Sequence, residues 1–187
     1  MEFETDILNC ISVLQNGGVI LYPTDTIWGL GCDATNEAAV SKIFKIKQRA
    51  ESKSLIVLVA GEQDILQYVS APDLALFDYL EEQQQPTTVI YDGVIGLSGN
   101  VLAADGSAGI RMVNDPFCKA LVKRLGKPIV STSANISGEP APRFFSEISE
   151  AVKTQADYIV LHRRDDETPA TPSRIIRWKD GEVERIR

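Results

Sequence analysis

The sequence predicts an α/β domain, a mixed and twisted sheet with helices packed on it. Three features carry that expectation. Segments with apolar residues at helical spacing alternate with short continuous apolar runs, the pattern of helices interleaved with buried strands. Glycine, proline or an Asx residue stands at most of the changes between them. Near the carboxyl end, Asp180-Gly181 has the form of a two-residue hairpin turn, which adds an antiparallel pair to the sheet.

In chain order, Thr5 as N-cap with Ile7, Leu8, Ile11 and Leu14 predicts a first helix that Gly17-Gly18 ends, and residues 19–22 follow as a buried strand. Asn36 caps a second helix through Val40, Ile43, Phe44 and Lys47, and residues 55–60 form the next strand. Residues 62–84 read as helix broken at Pro72, and 88–91 as a short strand. The glycine-rich residues 93–106 read as a loop or hairpin and a candidate lid. Asp115-Pro116 starts a helix that Gly126 stops, and residues 128–130 open a strand running into the polar 131–135. Another helix starts near Ser146, before strands at 158–162, 173–178 and 182–186. With no internal repeat or linker, the expectation is one domain over 1–187 and no additional carboxyl-terminal domain.

The balance of 44% hydrophobic and 24% charged residues in 187 is ordinary for a chain that buries one core. No run approaches the roughly 18 apolar residues a membrane helix needs, and the start lacks a basic stretch followed by an apolar one. These features predict a cytoplasmic protein with no membrane partner. Cys10, Cys32 and Cys118 are far apart and in no ligand spacing, so reduced, buried thiols are expected rather than disulfides or a metal site. With His162 as the sole histidine, catalysis cannot use a histidine triad. The net charge of −7 argues against a chain whose whole surface binds nucleic acid, so any phosphate site is local.

Two segments carry candidate chemistry. Lys42, Lys45, Lys47, Arg49 and Lys53 place five cations in twelve residues against one acid, Glu51. They read either as a solvated helix face or as groups converging on phosphates from a loop, with Arg49 able to grip bidentately. Ser131, Ser133 and Asn135 fall on one side of a strand end, either a hydrophilic turn or a place for ribose and phosphate. Gly29, Gly31 and Ala34 also match a dinucleotide fingerprint, but residues 23–26 separate the glycines from the preceding strand. No Walker phosphate loop is present, since Gly126-Lys127 is followed by Pro128.

Taken together, residues 22–34 (YPTDTIWGLGCDA), 45–49 (KIKQR) with Lys53, and 131–140 (STSANISGEP) closely resemble the threonylcarbamoyl-AMP synthase family, as do Gly109-Ile110-Arg111 and Pro172-Ser173-Arg174-Ile175. The resemblance covers nearly the whole chain. It departs at Ser54, where proline is common, at Trp28, which replaces a smaller aromatic, and at 84–88, which match a proline-glycine-proline segment only loosely.

The resemblance implies a YrdC-type fold with a concave basic cleft and the condensation of L-threonine, bicarbonate and ATP into threonylcarbamoyl-AMP. It implies Lys47, Arg49 and Lys53 at the triphosphate as catalytic groups, and Thr88, Ser133, Asn135 and Arg143 at the nucleotide. Thr26, Arg111, Ser131, Ser133 and Ser173 would meet L-threonine. Magnesium is expected to accompany ATP, with no residue named as its ligand. Implied partners are tRNA or double-stranded RNA and the proteins of a tRNA threonylcarbamoyl-transferase complex. An RNA-binding module using the same basic segment is the alternative, and it predicts salt-sensitive RNA binding without turnover. A related domain in a hydrogenase-maturation protein sits with zinc fingers, which three scattered cysteines exclude.

Overall fold

The structure is a computed structural model, and it describes residues 2–50 and 55–187. The elements are α1 (Glu4–Gln15), β1 (Ile20–Tyr22), β2 (Gly29–Gly31), α2 (Glu37–Lys47), β3 (Ile56–Val59), α3 (Glu62–Tyr68), α4 (Ala75–Glu81) and β4 (Thr87–Tyr91). They continue with β5 (Ala108–Met112), α5 (Pro116–Leu125), β6 (Ile129–Ser133), α6 (Glu150–Lys153), β7 (Tyr158–Ile159), β8 (Arg174–Lys179) and β9 (Glu182–Arg185). Among the described residues the strands form one mixed nine-stranded sheet in the order β7-β1-β2-β6-β3-β5-β4-β8-β9. The pairs β1·β7, β3·β5 and β4·β8 are parallel, and the other neighbours are antiparallel.

Local signals account for most ends. Asn36 Oδ1 accepts from the Ala39 N–H at the start of α2, and Asp115 Oδ1 accepts from the Cys118 N–H at the start of α5, with Pro116 at its first turn. Gly126 closes α5 in the left-handed region. The hairpin between β8 and β9 turns through Asp180 (φ 53°) and Gly181 (φ 79°), two positive values in succession as the Asp-Gly pair requires.

The first helix differs from expectation. It begins at Glu4 after Phe3, and no side chain caps it, so Thr5 lies inside the first turn. Its start is held from a distance: the Asp6 carboxylate accepts from the Tyr158 hydroxyl (2.6 Å) and from the N–H groups of Leu161 (3.0 Å) and His162 (2.9 Å). That anchorage turns Ile7, Cys10 and Leu14 inward and leaves Leu8 58% exposed. The expected helix near Ser146 is a 3₁₀ turn (Phe145–Glu147) followed by the single turn of α6, and the 158–162 strand keeps ladder pairing only over β7.

Strand alternation divides the core between two faces. Ile20, Tyr22, Leu58 and Ile129 pack with Ile7, Cys10 and Leu14 of α1 and Phe117, Leu121 and Leu125 of α5. Leu21, Val57, Val59 and Val130 pack with Val40, Ile43 and Phe44 of α2. All three cysteines are free and buried. His162 packs against the rings of Phe3 and Phe117, with centroids 5.0 and 5.7 Å away, and those two rings also touch each other. No helix of the described residues is long and apolar enough to cross a membrane.

Gly29 and Gly31 sit on β2, not in a turn before a helix, so the dinucleotide fingerprint has no structural counterpart. Gly31 is glycine because a Cβ there would lie 2.6 Å from the Tyr22 ring and 2.8 Å from the Val130 carbonyl oxygen. The 93–106 segment, expected as a loop or candidate lid, is anchored in its middle and does not line the cavity described below. The Ser98 N–H donates to Ala34 O, Asn100 donates to Glu37 O and Ser41 Oγ, and Val101 is fully buried, which fixes the loop against α2.

Candidate active site

On the α1/α5 face, strand alternation carries Ile56, Ser131 and Ser133 beyond Leu58 and Ile129, past the part of the sheet the helices cover. The sheet there is left open to a cavity of about 290 Å³, lined by Thr26, Trp28, Arg49, Arg111, Ser131, Ser133, Ser173 and Arg187, with Leu55, Ile56, Pro172 and Ile175 among its apolar walls. Three arginines line it, and among the described residues none of the lining is acidic. The chain as a whole carries a net charge of −7, so this lining is locally of the opposite sign. A larger groove of about 1010 Å³ runs between α3, α4 and α5, and none of the residues implicated by sequence lines it.

The end of α2 aims the basic segment. Arg49 N–H bonds Phe44 O, Gln48 N–H bonds Lys45 O, and Gln48 takes the left-handed conformation (φ 49°), a Schellman ending with glutamine in the glycine position. The ending separates cations that looked like one cluster. Lys42 and Lys45 are exposed, and Lys42 donates to Gly17 O. Arg49 turns into the cavity, where burial lowers its pKa.

Lys47 is 1% exposed, and its ammonium donates to Ser133 O (2.5 Å), Asn135 O (2.8 Å) and Asn135 Oδ1 (3.1 Å). Its own carbonyl accepts from the Ser137 N–H. Burial, with the nearby Arg49 charge second, pulls its pKa down to about 8. Lys47 thus ties the end of α2 to the polar end of β6, a different job from that of a solvated loop lysine. Lys53 lies outside the described residues.

Arg111 comes from β5, a strand the sequence reading did not assign, because Gly109 and Arg111 interrupt its apolar run. It is 3% exposed and donates through Nη2 to Asp25 Oδ1 (2.9 Å) and Thr26 Oγ1 (3.4 Å), while its buried Nε has no hydrogen-bond partner among the described residues. Thr24 organises the same loop: its Oγ1 accepts from the Thr26 N–H, donates to Ile27 O and lies 2.9 Å from Thr26 Oγ1.

Thr26, Arg49, Arg111, Ser131, Ser133 and Ser173 are thus brought together around one cavity. Lys47 does not line it, and three other implicated residues also fall elsewhere. Thr88 is fully buried, with its Oγ1 2.8 Å from Ser173 Oγ, so direct nucleotide contact is corrected to support of Ser173. Asn135 does not line the cavity; its Oδ1 accepts from Ser133 Oγ and Lys47, and its Nδ2 donates to Glu139 O. Arg143 is exposed, paired with Glu147, and borders a gap of about 20 Å³ beside Thr26 and Trp28. Arg187 was missed. Its Nη2 donates to Ser173 O and its backbone pairs with Ile175, a docking that no local pattern at a chain's last residue announces.

The family model for Sua5/YciO/YrdC proteins, described as Telomere recombination, matches residues 12–187. The threonylcarbamoyl-AMP synthase of Idiomarina loihiensis is 34% identical over 173 residues, covering 90% of this chain and 91% of its own length. The structure of P. abyssi Sua5 complexed with L-threonine aligns with a TM-score of 0.86 at 22% identity, covering 98% of this chain. This chain spans 54% of that longer one. E. coli YciO aligns with a TM-score of 0.83 at 23% identity, covering 98% of this chain and 88% of its own. At these identities the two structures speak for the fold. Motifs, sheet and sequence relatives agree: the chain belongs to the Sua5/YciO/YrdC family, among proteins named threonylcarbamoyl-AMP synthase.

Proposed function

We propose that this chain is an L-threonylcarbamoyladenylate synthase. The observation that carries the reading is the cavity's charge: Arg49, Arg111 and Arg187 around it and no acid among the described residues of its lining, which suits reactants that are all carboxylates, bicarbonate or phosphates. The threonine amine bonds to the carbon of bicarbonate with loss of water, giving a carbamate. A carbamate oxygen then attacks the α-phosphorus of ATP, the bond to the bridging oxygen breaks, and pyrophosphate leaves. No protein nucleophile is needed, so positioning and charge stabilisation supply the catalysis.

In this reading Thr26, Ser131, Ser133 and Ser173 hold the amino acid, with Arg111, which also lines the cavity, on its carboxylate. Arg49, with Lys53 and Arg187, meets the triphosphate; Asn135 and Arg143 border the nucleotide. Lys47 acts through the carbonyls of Ser133 and Asn135 that it holds. The described residues bring no three His, Cys, Asp or Glu side chains together as a metal cage, and Asp25 is engaged by Arg111. Magnesium would enter with the nucleotide, and no step is assigned to it. The product is a reactive mixed anhydride, and the family resemblance implies a tRNA-modifying transferase complex in the cytoplasm as its consumer.

The test is pyrophosphate release from magnesium-ATP by the purified chain, with L-threonine and bicarbonate each added or withheld. Release that requires both supports the synthase. Salt-sensitive tRNA binding with no release under any combination would replace it with the RNA-binding reading.

A further inference from the structure

Arg163 has a backbone φ of 65°, in a region uncommon for a side chain as long as arginine's and kept where surrounding contacts hold it. Its side chain supplies those contacts. Nε donates to Asp166 Oδ2 (3.0 Å), and Nη1 donates to Asp115 Oδ2 (2.9 Å) and to Thr24 O (3.3 Å). Each partner belongs to a different part of the site. Asp115 is 9% exposed and caps α5 with its other oxygen. Thr24 shapes the loop that presents Thr26 to the cavity and Asp25 to Arg111. Asp166 lies on the segment between β7 and β8, which reaches the cavity wall at Pro172 and Ser173.

We propose that Arg163 is a positioning residue: one guanidinium clasps the Thr24–Thr26 loop and the 163–172 strap to the start of α5, setting the distance between Thr26 and Ser173 across the amino-acid side of the cavity. Arg163 itself does not line that cavity, so it acts through the elements it holds. The assignment of that side to L-threonine rests on the function proposed above. The clasp does not.

The clasp predicts a split between substrates. Charge-assisted hydrogen bonds are strong enough that losing three should raise the KM for L-threonine about tenfold in Arg163→Ala, with the KM for ATP within about twofold of wild type. Arg163→Lys, able to reach fewer partners at once, should recover part of the loss. Hydrogen exchange of the same variants gives a readout without substrates: faster exchange in 24–27 and 164–172, with β3 and β6 unchanged. If Arg163→Ala does not fold, Asp166→Asn removes the strap arm alone and should give a smaller threonine shift in the same direction. Equal rises in both KM values, no rise in either, or unchanged exchange in the loop would overturn the clasp. If wild type itself releases no pyrophosphate, the functional reading fails, and the exchange result still decides the clasp.

Discussion

Lys47→Met tests whether a buried cation organises the site. The substitution keeps the length and apolar stem of the side chain and removes an ammonium that holds Ser133 O, Asn135 O and Asn135 Oδ1 at 2.5–3.1 Å. Each charge-assisted bond is worth about 1.5–3 kcal/mol, and Asn135 O, left without the ammonium, costs about 1–3 kcal/mol more, whereas Ser133 O keeps the Asn135 N–H and Asn135 Oδ1 keeps the Ser133 hydroxyl. Against this stands the release of a buried charge, which costs several kcal/mol to desolvate. The balance is a net loss of about 3 kcal/mol, a fall in Tm of about 6–12 °C for a domain of this size. Urea unfolding and thermal melts measure both. The loss should be joined by faster exchange in residues 133–137, which Lys47 holds through both its ammonium and its carbonyl. A variant within about 0.5 kcal/mol of wild type, the scatter of an ordinary surface change, would refute the reasoning.

Two further predictions concern the core. Gly31→Ala forces a methyl group against the Tyr22 ring and the Val130 carbonyl, so it should cost about 1–3 kcal/mol in urea unfolding; an unaffected variant would mean that β2 has room to move. Burial raises the pKa of all three cysteines, Cys10 to about 12. A thiol that titrates near 8.5 when unfolded but stays protonated in the fold contributes stability in full below that pH and loses it as pH rises toward the folded value. Between pH 8 and pH 10 wild type should therefore lose about 2 kcal/mol more than Cys10→Ala, and parallel losses would contradict the burial of that thiol.

The sequence was most legible where one residue's local chemistry decides the structure. Asn36, Asp115-Pro116, Gly126 and Asp180-Gly181 act within four residues of themselves, and each behaves as its type requires. Expectation failed where the decisive partner is far along the chain. The start of α1 depends on Asp6 meeting residues 158–162, which outweighs Thr5. β5 was overlooked because a central strand gave up apolar positions to Gly109 and Arg111, the latter serving the cavity.

The site divides in the same way. Thr26, Arg49, Arg111, Ser131, Ser133 and Ser173 could be named from motifs because the family resemblance carries their order and spacing. Spacing does not record depth. Helical spacing sets Lys47 with Val40, Ile43 and Phe44 and leaves Lys45 off that face, yet it does not show the acceptors that let a lysine be buried there, which are supplied where α2 ends against β6. Nor does Thr88 advertise that Ser173 lies beside it, 85 residues later in the chain.

The most direct test of the account follows carbon from labelled bicarbonate into an adenylate of L-threonine, with wild type and Arg49→Ala side by side. The account predicts labelled threonylcarbamoyl-AMP from wild type, formed only when ATP and L-threonine are both present. It also predicts a folded Arg49→Ala variant at least about tenfold slower, about 1.4 kcal/mol or more of transition-state stabilisation lost from the cavity. Absence of the labelled product from wild type, or equal rates from the two proteins, would contradict it.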